Sequence, residues 1–395
     1  MSDAKSSGDP FPGFETICAH WGEDPTGFLG AIAPPIFQNS NFARPKSETP
    51  AGEGPLKRYD YTRVSNPTTD VAEAKIAALE GGERARCFGS GMGAISAAIL
   101  SCVRTGDHVI AAETVYGPTR QFLSDYLDRF DITTTYVPGV DPDDYRRAMR
   151  PNTRLLFLES PSSLVMRQQD LEAVALLAKE AGASTVCDNS WASPYFQNPL
   201  KMGVDLVAHS ATKYLAGHSD VVAGVVVGDA KRMEAVVGRE GLLLGAVLDP
   251  FAAWLLIRGL RTLAIRMERH QQSAKIIARR LADHPAVERV FYPGMAEDPQ
   301  PELTRRQLRG TSGLFSFGLK DNRREAHFRV VDALRYYAIG CSWGGYESLA
   351  MPCAVSMRAS GAEGDGQRWL IRLSIGLETV EDLWADLEGA LAGAA

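Results

Sequence analysis

The sequence predicts an α/β protein, with a mostly parallel central sheet covered by helices on both faces and a smaller α+β domain at its C-terminal end. Three observations point there. From about Thr68 onward, apolar strand-like segments alternate with helical ones. Past Pro250 that alternation gives way to a long amphipathic stretch and more widely spaced strands. The length, 395 residues, exceeds what a single core usually supports, so two structural domains are expected.

Residues 1–60 are rich in Gly, Pro and polar side chains, including Pro34-Pro35 and the stretch 51–55, and read as an extended arm with little core of its own. Asp70–Leu79 has a helical pattern that stops at Gly81-Gly82. Gly91–Val103 is small and apolar. His108–Ala112, Arg154–Leu158, Ser184–Cys187, Val204–Ala208 and Val221–Val227 read as buried strands, with helical stretches such as Pro118–Phe130 and Asp170–Ala181 between several of them. Together they define a large domain over 61–250. In the remainder, 251–395, Phe251–Asp283 reads as a long helical stretch, and Val287–Tyr292, Gly313–Leu319 and Trp369–Ile375 as strands. Leu377–Leu391 closes the chain as a helix, and Ser356–Gln367, with Gly361, Gly364 and Gly366, reads as a surface loop.

Composition narrows the function classes. A net charge of −6 gives no global reason to bind nucleic acid or an anionic membrane. No apolar run approaches the length of a membrane span, and residues 1–12 lack a signal-peptide core. The six cysteines, at 18, 87, 102, 187, 341 and 353, form no Cys-x-x-Cys pair and fit a reducing cytoplasm. Without a His-Glu-x-x-His pattern, no metal site is expected.

The chemistry gathers around Asp188 and Lys213. Asp188 closes one strand-like stretch, and Lys213 sits in Ser210-Ala211-Thr212-Lys213, just after another. A lysine able to form a Schiff base and a carboxylate for a pyridinium nitrogen are the elements of a pyridoxal phosphate site. In open α/β sheets ligands lie beyond the carboxyl ends of the strands, where both residues would project. Ser90-Gly91-Met92-Gly93 precedes an apolar helical segment, where backbone amides bind phosphate well, although a simple turn is the alternative. Tyr116 follows another strand and reads equally as a ring-stacking residue or a buried aromatic. Tyr61 and Arg63 lie at the end of the arm. Arg372, inside the apolar strand, requires an anionic partner, either a structural carboxylate or that of a substrate.

The chain resembles the Cys/Met-metabolism (trans-sulfuration) family of fold-type I pyridoxal phosphate enzymes. The resemblance runs through Tyr61-x-Arg63-x-x-Asn66-Pro67-Thr68, Ser90-Gly91-Met92, Tyr116-Gly117, Glu159-Ser160-Pro161 and Asp188-Asn189-Ser190. It continues through Ser210–Tyr214, Arg258–Thr262, Gly313–Phe317, Gly344–Ser348 and Arg372, in collinear order. It implies the fold-type I architecture. It also implies that Lys213 carries pyridoxal 5'-phosphate, that Asp188 pairs with the pyridinium, and that Tyr116 stacks on the ring. Ser90, Gly91, Met92, Ser210 and Thr212 would hold the phosphate, joined by Tyr61 and Arg63 from a neighbouring subunit contacted by the arm. Arg372 and Ser342, beside Trp343, would face the substrate carboxylate. Partners then reduce to a small sulfur amino acid and other copies of the chain, with a homodimer as the active unit and a homotetramer expected.

Within the family, Ser342-Trp343-Gly344-Gly345-Tyr346-Glu347-Ser348 is similar to the bacterial cystathionine β-lyases; γ-synthases and γ-lyases usually carry leucine in place of Trp343. That implies β-elimination of L-cystathionine to homocysteine, pyruvate and ammonia in methionine biosynthesis, with side activity on cysteine and related thioethers. γ-Elimination, of the methionine or cystathionine γ-lyase type, is the alternative. Two departures stand out: Ser190, where many members have threonine, and Met351–Gln367, which matches the β-lyases poorly.

Overall fold

The computed structural model describes residues 12–44, 46–47, 59–361 and 366–393. The stretch 51–55 of the expected arm lies outside the described residues, as do 362–365 of the expected loop. Among the described residues, no helix is long and apolar enough to cross a membrane.

Seven strands form the larger sheet: β1 (Arg84–Phe88), β2 (His108–Ala112), β3 (Thr133–Val137), β4 (Thr153–Glu159), β5 (Ser184–Asp188), β6 (Leu206–His209) and β7 (Gly224–Gly228). Their order is β1-β7-β6-β5-β4-β2-β3. Strands β2 to β6 are mutually parallel, and β7 runs antiparallel to both its neighbours. Burial on both faces explains why β4 is apolar from Leu155 to Leu158. Leu155 and Phe157 face a core with Ile95 and Ile99 of the helix Gly91–Cys102, while Leu156 and Leu158 face another with Leu171 and Val174 of the helix Leu171–Glu180.

The smaller sheet contains β8 (Val287–Phe291), β9 (Leu314–Leu319), β10 (Ala338–Ile339), β11 (Leu349–Ser356) and β12 (Gln367–Ser374), in the order β10-β11-β12-β9-β8. The α/β class with a smaller α+β part is therefore observed. Four strands, β1, β3, β10 and β11, were not expected. The polar, Arg-rich β1 and the Thr-rich β3 lack the apolar run that reveals an inner strand, since they edge the sheet. β11 ends at Ser356, where the expected loop begins, its Pro352 and Cys353 pairing with Ile371 and Leu370.

The stretch Phe251–Asp283 is two helices, Pro250–Leu260 and Leu263–Ala282. They meet at Arg261-Thr262, and the first helix packs closely through Gly259, where an added Cβ would stand 2.1 Å from the Ala216 carbonyl oxygen. The buried Arg266 guanidinium donates to the Gly259 and Tyr214 carbonyls, both at 2.8 Å. The break thus docks the second helix against the segment that follows Lys213.

Candidate active site

The C-terminal ends of β4, β5 and β6 place Glu159, Asp188 and His209 along one edge of the sheet. Asp188 is buried. Its Oδ1 accepts from the Ser190 amide at 2.9 Å and the Ser190 hydroxyl at 2.6 Å, and the same hydroxyl accepts from the Ser210 amide at 2.7 Å. Serine at 190 therefore ties the two strand ends together, which needs a hydroxyl and nothing more. Burial raises the Asp188 carboxyl above its ordinary range, opposed by the Ser190 bonds and by the Lys213 ammonium. Oδ2 receives no hydrogen bond among the described residues.

Lys213 lies in the turn after β6. Its Nζ donates to Ser342 Oγ at 2.7 Å and stands 5.2 Å from the centre of the Trp343 ring. Burial, then the Arg372 charge, lowers its ammonium to about 8, so the amine needed for imine chemistry is populated near neutral pH. Trp343 packs on Tyr214, with ring centres 5.4 Å apart, and Tyr214 packs on His270 at 5.3 Å.

Half-buried Arg372 donates through Nη2 to the Gly340 and Ser342 carbonyls, both at 3.1 Å. It has no carboxylate partner among the described residues, which favours the substrate reading over the structural ion pair left open by the sequence.

The Ser90 hydroxyl caps the helix Gly91–Cys102 by accepting from the Gly93 amide at 2.9 Å. The amides of Gly91 and Met92 have no intrahelical acceptor. A Cβ at Gly91 would stand 2.7 Å from the Ser210 hydroxyl, and one at Gly224 only 2.1 Å from the Ser90 carbonyl oxygen. The glycines let sheet, helix start and Ser210 converge on a small cup of hydrogen-bond donors. Thr212 behaves differently from expectation: its hydroxyl donates to the Ala223 carbonyl at 3.1 Å and accepts from the Ala223 amide at 3.0 Å. A phosphate contact would require that hydroxyl to turn away from Ala223.

Tyr116 is 44% exposed in the turn after β2. Its amide is held by Glu159 Oε2 at 2.6 Å, and it feels the charges of Asp188, Glu159 and Arg372. Tyr61 and Arg63 are not joined to this cluster within one chain. Arg63 donates to the Leu242 carbonyl at 2.8 Å and lies 5.7 Å from the centre of the Tyr61 ring, which is itself exposed.

A buried network beneath the site escaped sequence reasoning. Glu80 accepts from His209 Nε2 at 2.6 Å and from Asn189 Nδ2 at 2.7 Å. It thereby braces the residues next to Asp188 and Ser210. Glu159 entered only through the family motif. The missed signal was its place at the end of an apolar run, as with Asp188.

Free Asp188 Oδ2, the amide and hydroxyl cup and a lysine with a lowered pKa fit pyridoxal phosphate: a cation, a dianion and an aldehyde each find a complementary group. Fold and site define a pyridoxal phosphate enzyme. The family model described as Cys/Met metabolism PLP-dependent enzyme matches residues 15–392, and the chain belongs to that family.

The chain is 40% identical over 396 residues to L-methionine gamma-lyase of Pseudomonas putida, covering 97% of this chain and 98% of that protein. It is 38% identical over 394 residues to cystathionine gamma-synthase of Mycobacterium bovis, covering 99% and 100%. A crystal structure of metB from Corynebacterium glutamicum superposes with a TM-score of 0.90 at 35% identity, covering 97% of this chain and 99% of that one. The two curated relatives carry γ-lyase and γ-synthase names rather than the β-lyase name expected from residues 342–348.

Proposed function

We propose that this chain is a carbon–sulfur lyase that cleaves L-cystathionine by β-elimination to homocysteine, pyruvate and ammonia, with side activity on cysteine and related thioethers. The observation that carries this reading is Trp343, whose ring lies beside Lys213 Nζ where γ-acting relatives usually have leucine. Bound pyridoxal phosphate supplies the electron sink for the Cα carbanion.

The chain's residues do the rest. Arg372, aided by the Ser342 backbone, grips the α-carboxylate and orients the Cα–H bond. Lys213 Nζ is the base that takes the Cα proton. The Cβ–S bond then breaks, the leaving thiolate takes up the proton held on Lys213, and water converts the three-carbon fragment to pyruvate and ammonia. Asp188 keeps the pyridine nitrogen protonated, the Gly91 and Met92 amides with Ser210 hold the phosphate, and Tyr116 covers the ring. Tyr61 and Arg63 reach the phosphate of a second copy, which makes a homodimer the active unit within a homotetramer.

The names of the relatives favour a second reading, γ-elimination. Incubation with L,L-cystathionine separates the two. Pyruvate is expected, and 2-oxobutyrate as the main oxo acid would overturn β-cleavage.

A further inference from the structure

The edge of the sheet that holds Asp188 carries a second buried carboxylate. Glu159 ends β4, Asp188 ends β5, and the two are register partners across the parallel ladder. Each is 7% exposed. Two ionised carboxylates so placed would repel each other after losing their hydration, so one of them holds a proton.

Their surroundings say which. Asp188 takes two bonds from Ser190 and faces the Lys213 ammonium, all of which favour the anion. Burial first, and then the negative charge of Asp188, push the Glu159 carboxyl above the ordinary range, outweighing the bonds from Ser163 and Tyr116 that favour its anion. Each Glu159 oxygen has a partner. Oε2 accepts from the Tyr116 amide at 2.6 Å, and Oε1 lies 2.6 Å from the Ser163 hydroxyl. A protonated carboxyl keeps both bonds, because its own hydroxyl can donate to Ser163 Oγ.

We propose that Glu159 is a positioning residue that stays protonated, fixes the Tyr116 turn over the cofactor ring through the Tyr116 amide, and leaves Asp188 as the anion at the pyridine nitrogen. The proposal rests on the reading of Asp188 and Tyr116 as cofactor ligands.

Infrared difference spectra of holoenzyme, wild type against Glu159→Gln at neutral pH, test the protonation. The carbonyl stretch of a protonated carboxylic acid should disappear in the variant; loss of a carboxylate band instead would overturn the idea. Titration of apoenzyme with pyridoxal phosphate tests the positioning. Glu159→Ala should weaken cofactor binding about tenfold, and Glu159→Gln should restore it to within about twofold, since the amide reproduces both bonds. Wild-type affinity in the alanine variant, or equal loss in both, refutes the positioning role. If the alanine variant does not fold, the infrared result decides. Failure of the underlying reading shows separately, as an Asp188→Asn variant with an unchanged cofactor spectrum and turnover.

Discussion

Lys213 Nζ donates to Ser342 Oγ at 2.7 Å, joining the turn after β6 to the segment that precedes β11. The amine is thus anchored between the two sheets before any cofactor arrives. Lys213→Ala should abolish both the yellow absorbance of the holoenzyme and turnover, as read by spectrophotometry and pyruvate release. The cofactor-free protein should also reveal the buried amine. The Lys213 ammonium titrates at about 8 when folded but near 10.5 when unfolded. Between those values the unfolded chain binds the extra proton, so stability rises with pH. Relative to Lys213→Met, the apoprotein should gain about 2 kcal/mol from pH 8 to 10 in denaturant titrations.

Arg372 bonds to two carbonyls and has no carboxylate partner among the described residues. Arg372→Ala should raise KM for cystathionine about tenfold to a hundredfold, with kcat falling much less, because a charged hydrogen bond to the bound substrate is lost. A fall in kcat with KM unchanged would move Arg372 out of the substrate site.

Gly91 leaves no room for a side chain beside Ser210. Gly91→Ala should push Ser210 and the helix start apart at a cost of about 2 kcal/mol. The phosphate would feel this first. The dissociation constant for pyridoxal phosphate, measured on the apoenzyme, should rise by about tenfold or more.

Arg63 does not meet the Lys213 cluster within its own chain, and it is expected to serve a second copy. Arg63→Ala and Lys213→Ala should each be impaired alone. Co-expressed, they should recover up to about a quarter of wild-type activity, because each mixed dimer assembles one intact site. Absence of recovery in verified mixed dimers would place Arg63 elsewhere.

The buried strands β2, β4, β5, β6 and β7 were legible because residues covered on both faces must be apolar throughout. β1 and β3 were not, because edge strands carry polar residues that look like loops. Asp188, Lys213 and Arg372 stood out as charges in apolar or strand-end settings. The Glu80–His209 pair did not, since the two residues lie 129 positions apart and each alone resembles a surface residue. Thr212 shows a different limit. Its residue type suggested a phosphate donor, but only the fold reveals that Ala223 already engages both sides of its hydroxyl.

The Thr212–Ala223 pair has a consequence for what happens after Lys213 yields its place to substrate. The backbone is pinned one residue before the lysine, so only the four-carbon side chain is free to swing. A leash that short keeps the amine inside the site, at an effective concentration far above that of any dissolved base. Thr212→Ala would leave every reacting group in place and keep the amide hydrogen bond from residue 212 to the Ala223 carbonyl, yet remove the side-chain bonds that stiffen this leash.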